Sequence, residues 1–264
     1  MPRAKRRLGQ HFLSDRRILE RIADALGATA GDTVLEIGPG PGGLTEALAG
    51  RAGKLVAIEK DADLIPALRE RASSAVIVEA DALDADWHAI AGPDFLVAGN
   101  IPYNITSPLI DKALTPPRPR RIVFLVQKEV ADRVGAAAGG GAYGALSVGV
   151  QAVALAERLF TVPAGAFHPR PKVDSAVLRL TPLADPLVSD AEVEPFRRLV
   201  VGLFGFRRKQ MVRGLRELTG WDPERVEDAL GRAEIESRVR PETVAPARFA
   251  ALLRALVDGG WTAR

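Results

Sequence analysis

Short apolar runs and amphipathic segments alternate along the first part of the chain. Residues 33–37, 54–58, 75–78 and 95–98 are dense in apolar side chains, the pattern of strands covered on both faces. Ser14-Asp15 reads as a helix cap, and Ile18, Ile22, Ala25 and Leu26 recur on one helical face behind it. Residues 44–48 belong to a second helix, and Asp61 is expected to cap a third that runs to about Arg71. A hydroxyl followed by proline, Thr106-Ser107-Pro108, marks another helix start. Residues 121–126 read as a fifth strand, and Gln127-Lys128-Glu129 opens a helix. A flexible loop over 136–141, a helix-then-strand unit over roughly 146–157 and a last strand over 176–180 complete this part. This alternation predicts an α/β fold, a mostly parallel sheet with helices on both faces.

In a doubly wound sheet the ends of the parallel strands gather along one rim, where ligands bind. Gly38, Glu59, Asp81 and Asn100 each fall just after the carboxyl end of a successive strand, so all four are expected there. The turn Gly38-Pro39-Gly40-Pro41-Gly42-Gly43 lets a ligand approach the backbone closely. An acid after the second strand can accept both hydroxyls of a ribose. An acid after the third can accept from an exocyclic adenine amine. Taken singly, each acid is equally a solvated turn or a helix cap, and a dinucleotide-binding oxidoreductase would also show the glycine turn and Glu59. The four together describe a nucleoside-bearing cofactor whose reactive end faces Asn100.

The stretch Gly99-Asn100-Ile101-Pro102-Tyr103-Asn104-Ile105 carries the candidate chemistry. Pro102 disfavours helical geometry at Ile101, turns that carbonyl outward and has no N–H of its own. The Asn100 side-chain oxygen and the Ile101 carbonyl then form two adjacent acceptors beside the flat face of Tyr103. Those parts suit a planar base with an exocyclic amine; the plainer reading is an ordinary turn with a surface tyrosine. Phe167, in the proline-stiffened 167–177 loop, offers either the second face of a base sandwich or a core anchor for that loop.

Composition narrows the chemistry. The 264 residues are 47% hydrophobic with a net charge of +3, which suits one large domain or a large one with a small one. The chain has no cysteine, which excludes disulfides, thiolate catalysis and cysteine-held metals. His11, His88 and His168 are scattered without ligand spacing, so no metal centre is expected. The basic start Pro2-Arg3-Ala4-Lys5-Arg6-Arg7 leads into no apolar signal-peptide core, and no run approaches transmembrane length. A cytoplasmic chain without membrane contact is therefore expected.

Around 181–189 two prolines and a loss of periodicity mark a boundary, dividing the chain into 1–183 and 184–264. The second part reads as helical over 193–204, 208–218, 223–232 and 246–257. Arg197, Arg198, Arg207, Arg208, Lys209, Arg213 and Arg216 occur there with no acid among them. A charge run is usually a solvated face; a run this one-signed points to phosphates and so to nucleic acid.

Several blocks fall in a recognisable order. They are Gln10-His11-Phe12-Leu13, Glu36-Ile37-Gly38-Pro39-Gly40, Ile58-Glu59, Asp81-Ala82 and the 99–105 stretch. Gln127-Lys128-Glu129-Val130, Ala142-Tyr143-Gly144, the 167–177 loop and Arg207-Arg208-Lys209 come after them. With them the sequence closely resembles the ribosomal RNA adenine N6,N6-dimethyltransferases over nearly its whole length. The Asn-Ile-Pro-Tyr and Pro-Lys-Val-Asp-Ser blocks are the most specific. The resemblance implies a Rossmann-like class I S-adenosylmethionine-dependent methyltransferase sheet, succeeded by a small C-terminal helical RNA-binding domain.

It also implies that S-adenosylmethionine is bound by His11, Leu13, Gly38, Glu59, Asp81 and Asn100. Catalysis would fall to Asn100, Ile101, Pro102 and Tyr103 with Phe167, and RNA to Arg207, Arg208, Lys209 and Arg213. His11 stands where the family usually has asparagine, and an imidazole cannot offer a donor and an acceptor as one amide does. The 142–144 and 207–209 blocks favour the small-subunit enzymes, which act on two adjacent adenines near the 3′ end of 16S RNA. The other readings are a large-subunit (23S) enzyme conferring macrolide resistance and a mainly non-catalytic assembly factor. The implied partner is small-subunit RNA or a partly assembled small subunit, met by a monomer.

Overall fold

The computed structural model describes residues 4, 5 and 8–262; Pro2, Arg3, Arg6 and Arg7 of the basic start lie outside the described residues. In chain order the first elements are β1 (Phe12–Leu13), α1 (Arg16–Leu26), β2 (Thr33–Ile37), α2 (Gly43–Ala49) and β3 (Lys54–Glu59). Then come α3 (Ile65–Arg71), β4 (Val76–Glu79), α4 (Trp87–Ala91), β5 (Leu96–Asn100), α5 (Thr106–Ala113) and β6 (Arg121–Gln127). Next are α6 (Lys128–Val134), α7 (Ala145–Gln151), β7 (Ala154–Val162), β8 (Phe167–His168) and β9 (Ser175–Pro182). Four helices complete the chain: α8 (Val193–Gly205), α9 (Met211–Thr219), α10 (Pro223–Arg232) and α11 (Pro246–Asp258).

Two compact units result. The first comprises Met1–Leu114, Arg118–Ala131 and Ala156–Pro182; the second comprises Thr115–Pro117, Asp132–Leu155 and Leu183–Arg264. Residues 132–155 thus go with the second unit, not with the sheet as the sequence suggested. The reason is local packing: Tyr143 is fully buried and donates its hydroxyl to the Val244 carbonyl at 2.8 Å. The Leu183 N–H likewise bonds the Val153 carbonyl.

The first unit is organised by a seven-stranded sheet in the order β4-β3-β2-β5-β6-β9-β7. From β4 to β6 neighbouring strands run parallel, and β9 runs antiparallel to β6. The chain moves outward from β2 through β3 to β4, then returns to β5 on the other side of β2. The topological switch therefore lies at the carboxyl ends of β2 and β5. Val34, Leu35, Val97, Ala98, Val123 and Leu125 are fully buried, as strands covered on both faces require. Each such Val or Leu contributes roughly 1.5–3 kcal/mol by leaving water.

Local chemistry sets the flanking elements, with some departures from expectation. Asp15 caps α1 by accepting from the Arg17 and Ile18 N–H groups, and Gly27 ends it in the left-handed region. The stripe buried on α1 is Leu19, Ile22, Ala23 and Leu26, with Ile18 and Ala25 at its margin. Asp61 does not cap α3, which begins at Ile65, because its carboxylate is taken up by Lys5, Gln10 and the Asp63 N–H. Thr106 is not a cap either: a short 3-10 turn over Tyr103–Ile105 precedes α5, and the Thr106 hydroxyl donates back to the Pro102 carbonyl. The 136–141 segment is tied down by Gly139 N–H donating to the Glu242 carbonyl at 2.7 Å.

The second unit packs α7 to α11 around Leu199, Leu203, Leu215, Phe249, Leu252 and Leu256, all buried. α9 begins at Met211, so Arg208 lies in the turn before it and not on the helix.

Gly99 is fixed by crowding. A Cβ there would lie 2.5 Å from the Ile37 carbonyl oxygen and 3.1 Å from Ile101 Cγ2. Gly99→Ala is expected to cost about 1–3 kcal/mol of stability, read as a lower calorimetric midpoint. Gly149→Ala, whose Cβ would meet nothing within 4 Å, should leave the midpoint unchanged or raise it.

Candidate active site

The switch point opens into a cleft. His11, Leu13, Gly38, Glu59 and Asp81 line it together with Asn100, Ile101, Pro102 and Tyr103. Residues spread over ninety positions of sequence meet because β2, β3 and β5 end at one level, with Ile37 opposite Ile58 and Glu36 opposite Ala98. Gly38 (φ 67°) starts the turn that leaves β2, and its N–H bonds the Ile58 carbonyl.

Asn100, the last residue of β5, is oriented by a single long-range bond. Its Nδ2 donates to the His11 carbonyl at 2.8 Å. A carbonyl can only accept, so the amide group must face it and Oδ1 is the end left for a ligand. The Ile101 side chain is buried, so what that residue offers the cleft is backbone. Pro102 itself has φ −58° and ψ 135°, the φ that its ring imposes.

Tyr103 is held at both ends. Its hydroxyl lies 2.6 Å from Ser175 Oγ, and its ring stacks on the His11 imidazole with centroids 5.3 Å apart. Burial pushes the phenol pKa up, so it stays neutral. His11 Nδ1 is 2.7 Å from the Pro169 carbonyl and must therefore carry the proton. One face of Tyr103 is thus covered by His11.

The carboxyl groups differ in environment. Glu59 is buried and accepts the Gly40 N–H (3.0 Å) and the Asp61 N–H (2.7 Å), fastening the glycine turn to β3. Burial raises its pKa against the opposing pull of those N–H groups. Asp81 is ion-paired with Lys60 and accepts the Leu83 N–H at 2.9 Å; both contacts hold it below the usual carboxylate range. Asp61 is also lowered, because Lys5 and Gln10 outweigh the effect of its burial.

A third cleft acid stands in the 36–40 block of the sequence but is not among the expected site residues. Glu36, in the middle of β2, is 1% exposed, and its Oε2 has no hydrogen-bond partner among the described residues. Burial pushes it up to about 8, with the Thr45 hydroxyl opposing and Glu59 adding to the rise. A lone charge inside an otherwise apolar central strand is the signal that could have found it. Ser175, although it ends the Pro-Lys-Val-Asp-Ser block, and Lys60 are not among the expected site residues either.

Phe167 is not part of the cleft wall. It is 5% exposed and packed in the core with Leu13, Leu19 and Val177, so the core-anchor reading describes it. It also pairs with Leu13 in a two-stranded ribbon of β1 and β8. The candidate RNA residues lie in the second unit. Arg207 donates to Glu242 at 2.6 Å and Lys209 to Glu217 at 2.8 Å, while Arg208 and Arg213 are exposed and make no such pair among the described residues. Among the described residues no cluster of histidine and carboxylate side chains could hold a metal. No described helix is long and apolar enough to cross a membrane.

Comparison with known proteins places this geometry. The ribosomal RNA adenine dimethylase family matches residues 1–253. A ribosomal RNA small subunit methyltransferase A of Geobacter sulfurreducens is 42% identical over 267 residues, covering 98% of this chain and 97% of the relative. A dimethyladenosine transferase from Plasmodium falciparum superposes with a TM-score of 0.84 at 25% identity, over 96% of this chain and 100% of that one. The 23S rRNA methyltransferase ErmE gives 0.70 at 32% identity, over 93% and 99%. A cleft built at the switch point from the Asn100–Tyr103 block, on a chain matched nearly end to end, belongs to the ribosomal RNA adenine dimethylase family.

Proposed function

We propose that the chain transfers methyl groups from S-adenosylmethionine to adenine N6. Its targets are two adjacent adenines near the 3′ end of small-subunit (16S) ribosomal RNA, which become N6,N6-dimethyladenosine. The observation that carries the reading is the Asn100 carboxamide, whose amide group is occupied by His11 and whose oxygen is left to face a substrate. Full-length relatives at 41–43% identity are named ribosomal RNA small subunit methyltransferase A, which supports the small-subunit substrate over the large-subunit one. The work is done in the cytoplasm by a monomer acting on the RNA or on a partly assembled subunit.

The cleft fits the cofactor. Glu36, Glu59 and Asp81 line it, complementing a molecule that carries both a sulfonium and an ammonium. The unpartnered, buried Glu36 oxygen is the kind of group that a bound cation satisfies. Leu13, Ile37, Ile58 and Ala82 add apolar wall for a flat purine. Glu59 would accept ribose hydroxyls with the lone pairs that Gly40 and Asp61 leave free. Asp81 would accept from the adenine amine, and Gly38 would admit the ligand against its backbone. His11 acts through its carbonyl and its contact with Tyr103, and Leu13 through its wall of the cleft. When bound, S-adenosylmethionine supplies a methyl group on positively charged sulfur.

Adenine N6 is a poor nucleophile because its lone pair is delocalised into the ring. Asn100 Oδ1 and the Ile101 carbonyl accept its two N–H bonds, favouring a tetrahedral nitrogen with its lone pair directed outward. Pro102 keeps Ile101 extended and withholds a competing N–H. The face of Tyr103 away from His11 receives the base, which must leave its stack to be reached. Ser175 and His11 keep that ring from turning, and holding both reactants in line provides much of the rate. Phe167 anchors the ribbon that carries His11.

Asn100→Ala is expected to lower single-turnover methylation by roughly 10²–10³-fold, while cofactor affinity changes by less than about threefold. Rapid quench and calorimetric titration read the two; equal losses would contradict the assigned role. A second expectation concerns Glu36. With a pKa near 8 it is protonated at neutral pH, and a cation settling beside it favours the carboxylate. Cofactor binding near neutral pH should therefore release up to about one proton, and affinity should rise with pH until about 8. Calorimetry in buffers of different ionisation enthalpy measures that release, which Glu36→Gln should abolish.

A further inference from the structure

The second unit carries a groove that methyl transfer does not use. Lys209, Arg213, Arg216, Glu217, Gly220 and Trp221 line it. Arg213 and Arg216 lie three residues apart on one face of α9, with Lys209 in the turn before the helix and Gly220 just past its end, so the cations run from that turn along α9. α9 ends at Gly220, whose φ of 72° is the left-handed conformation that glycine adopts freely. The turn puts Trp221 at the end of that run, where its N–H donates to Thr219 Oγ1 at 3.2 Å. The Thr219 hydroxyl is in turn fixed on the Leu215 carbonyl at 2.7 Å.

The indole is held firmly. The Arg225 guanidinium lies 3.8 Å from its ring centroid. The ring edge abuts Gly259, where a Cβ would fall 2.6 Å from Trp221 Cη2. Arg225 covers one face of the ring, and Trp221 lines the groove. Of the cations, Lys209 is paired with Glu217, and Arg216 is close enough to that carboxylate to interact with it. Arg213 is exposed and has no partner among the described residues. Three cations against one carboxylate leave the groove positive.

A stripe of cations ending in a fixed aromatic face has the two parts that single-stranded nucleic acid requires: charge for successive phosphates and a platform for a base. We propose that this groove is a single-stranded RNA subsite, in which Arg213 and Arg216 take backbone phosphates and a base stacks on Trp221. The inference rests on RNA being the substrate, and it adds a contact that is independent of the target adenine. Because every base has a flat face, the subsite reads strandedness and not sequence.

The test uses the full chain, without methyl donor, and a short single-stranded oligoribonucleotide over a range of salt concentrations. The chain has three tryptophans, Trp87, Trp221 and Trp261, so the part of an indole-fluorescence change that comes from the groove is the part that Trp221→Phe removes. RNA should quench the fluorescence. Trp221→Phe should keep binding yet lose most of the quench, and Trp221→Leu should weaken binding roughly tenfold. Arg213→Gln with Arg216→Gln should flatten the log–log salt slope by about 0.7 for each cation removed. If the unmodified chain binds while the quench survives in Trp221→Phe and the slope survives in the double variant, the subsite is wrong and the RNA reading stands. If the unmodified chain binds no RNA, both fall.

Discussion

The bond from Asn100 Nδ2 to the His11 carbonyl links the end of β5 to a residue 89 positions earlier. Everything the cleft can do to an amine depends on it, because it decides which end of the carboxamide is presented. Such a bond contributes only about 1 kcal/mol net, too little to order a chain segment by itself. The order comes from beneath. Leu13 and Phe167 are both buried in the core and pair across the β1–β8 ribbon, while His11 Nδ1 reaches the Pro169 carbonyl. The ribbon brings the carbonyl into place, the carbonyl orients the amide, and the oxygen that remains is the end left for a ligand. Phe167 is buried in that core and pairs with Leu13, so it bears on the His11 carbonyl through packing.

The cleft's three carboxyl groups show how one wall can hold acids in different states. Glu36 has no partner for one oxygen among the described residues, and burial pushes it up to about 8. Glu59 is also raised, but it retains two backbone N–H donors and thereby locks the glycine turn. Asp81, half-buried beside Lys60, is lowered and stays ionised. Ionising all three at once would set buried negative charges against one another. The arrangement instead keeps the least solvated carboxyl neutral, at a cost to the fold, since that group takes up a proton on folding and leaves one oxygen without a partner among the described residues.

Much of this is legible in the sequence, for identifiable reasons. Parallel strands buried on both faces read as apolar runs, and their ends are easy to place; hence Gly38, Glu59, Asp81 and Asn100 fall on one rim as expected. The features that escape such a reading have no local period. A two-residue ribbon such as Phe12–Leu13 with Phe167–His168 gives no alternation to read. Asp61 looks like a cap because a helical stretch begins soon after it, whereas its partners, Lys5 and Gln10, lie more than fifty residues earlier. The two readings of Phe167 differ only in burial, and burial is a tertiary property.

Cation counting fails in the same way, and more instructively. Arg207, Arg208 and Lys209 look equivalent in sequence, yet their partners separate them. Arg207 binds Glu242, whose own carbonyl accepts from Gly139, so this arginine helps to fix the glycine-rich segment of its unit. Lys209 is paired with Glu217, while Arg208 and Arg213 make no such pair among the described residues. Exposed pairs of this kind hold by no more than about 1 kcal/mol, so a phosphate can displace a carboxylate from either cation. Displacing Glu217 from Lys209 would add a cation to the groove beside Trp221, whereas displacing Glu242 from Arg207 would release the carboxylate of a residue whose backbone secures Gly139. The same ligand would therefore strengthen one site and loosen the other, so equal charge in the sequence does not make equal contacts on the surface.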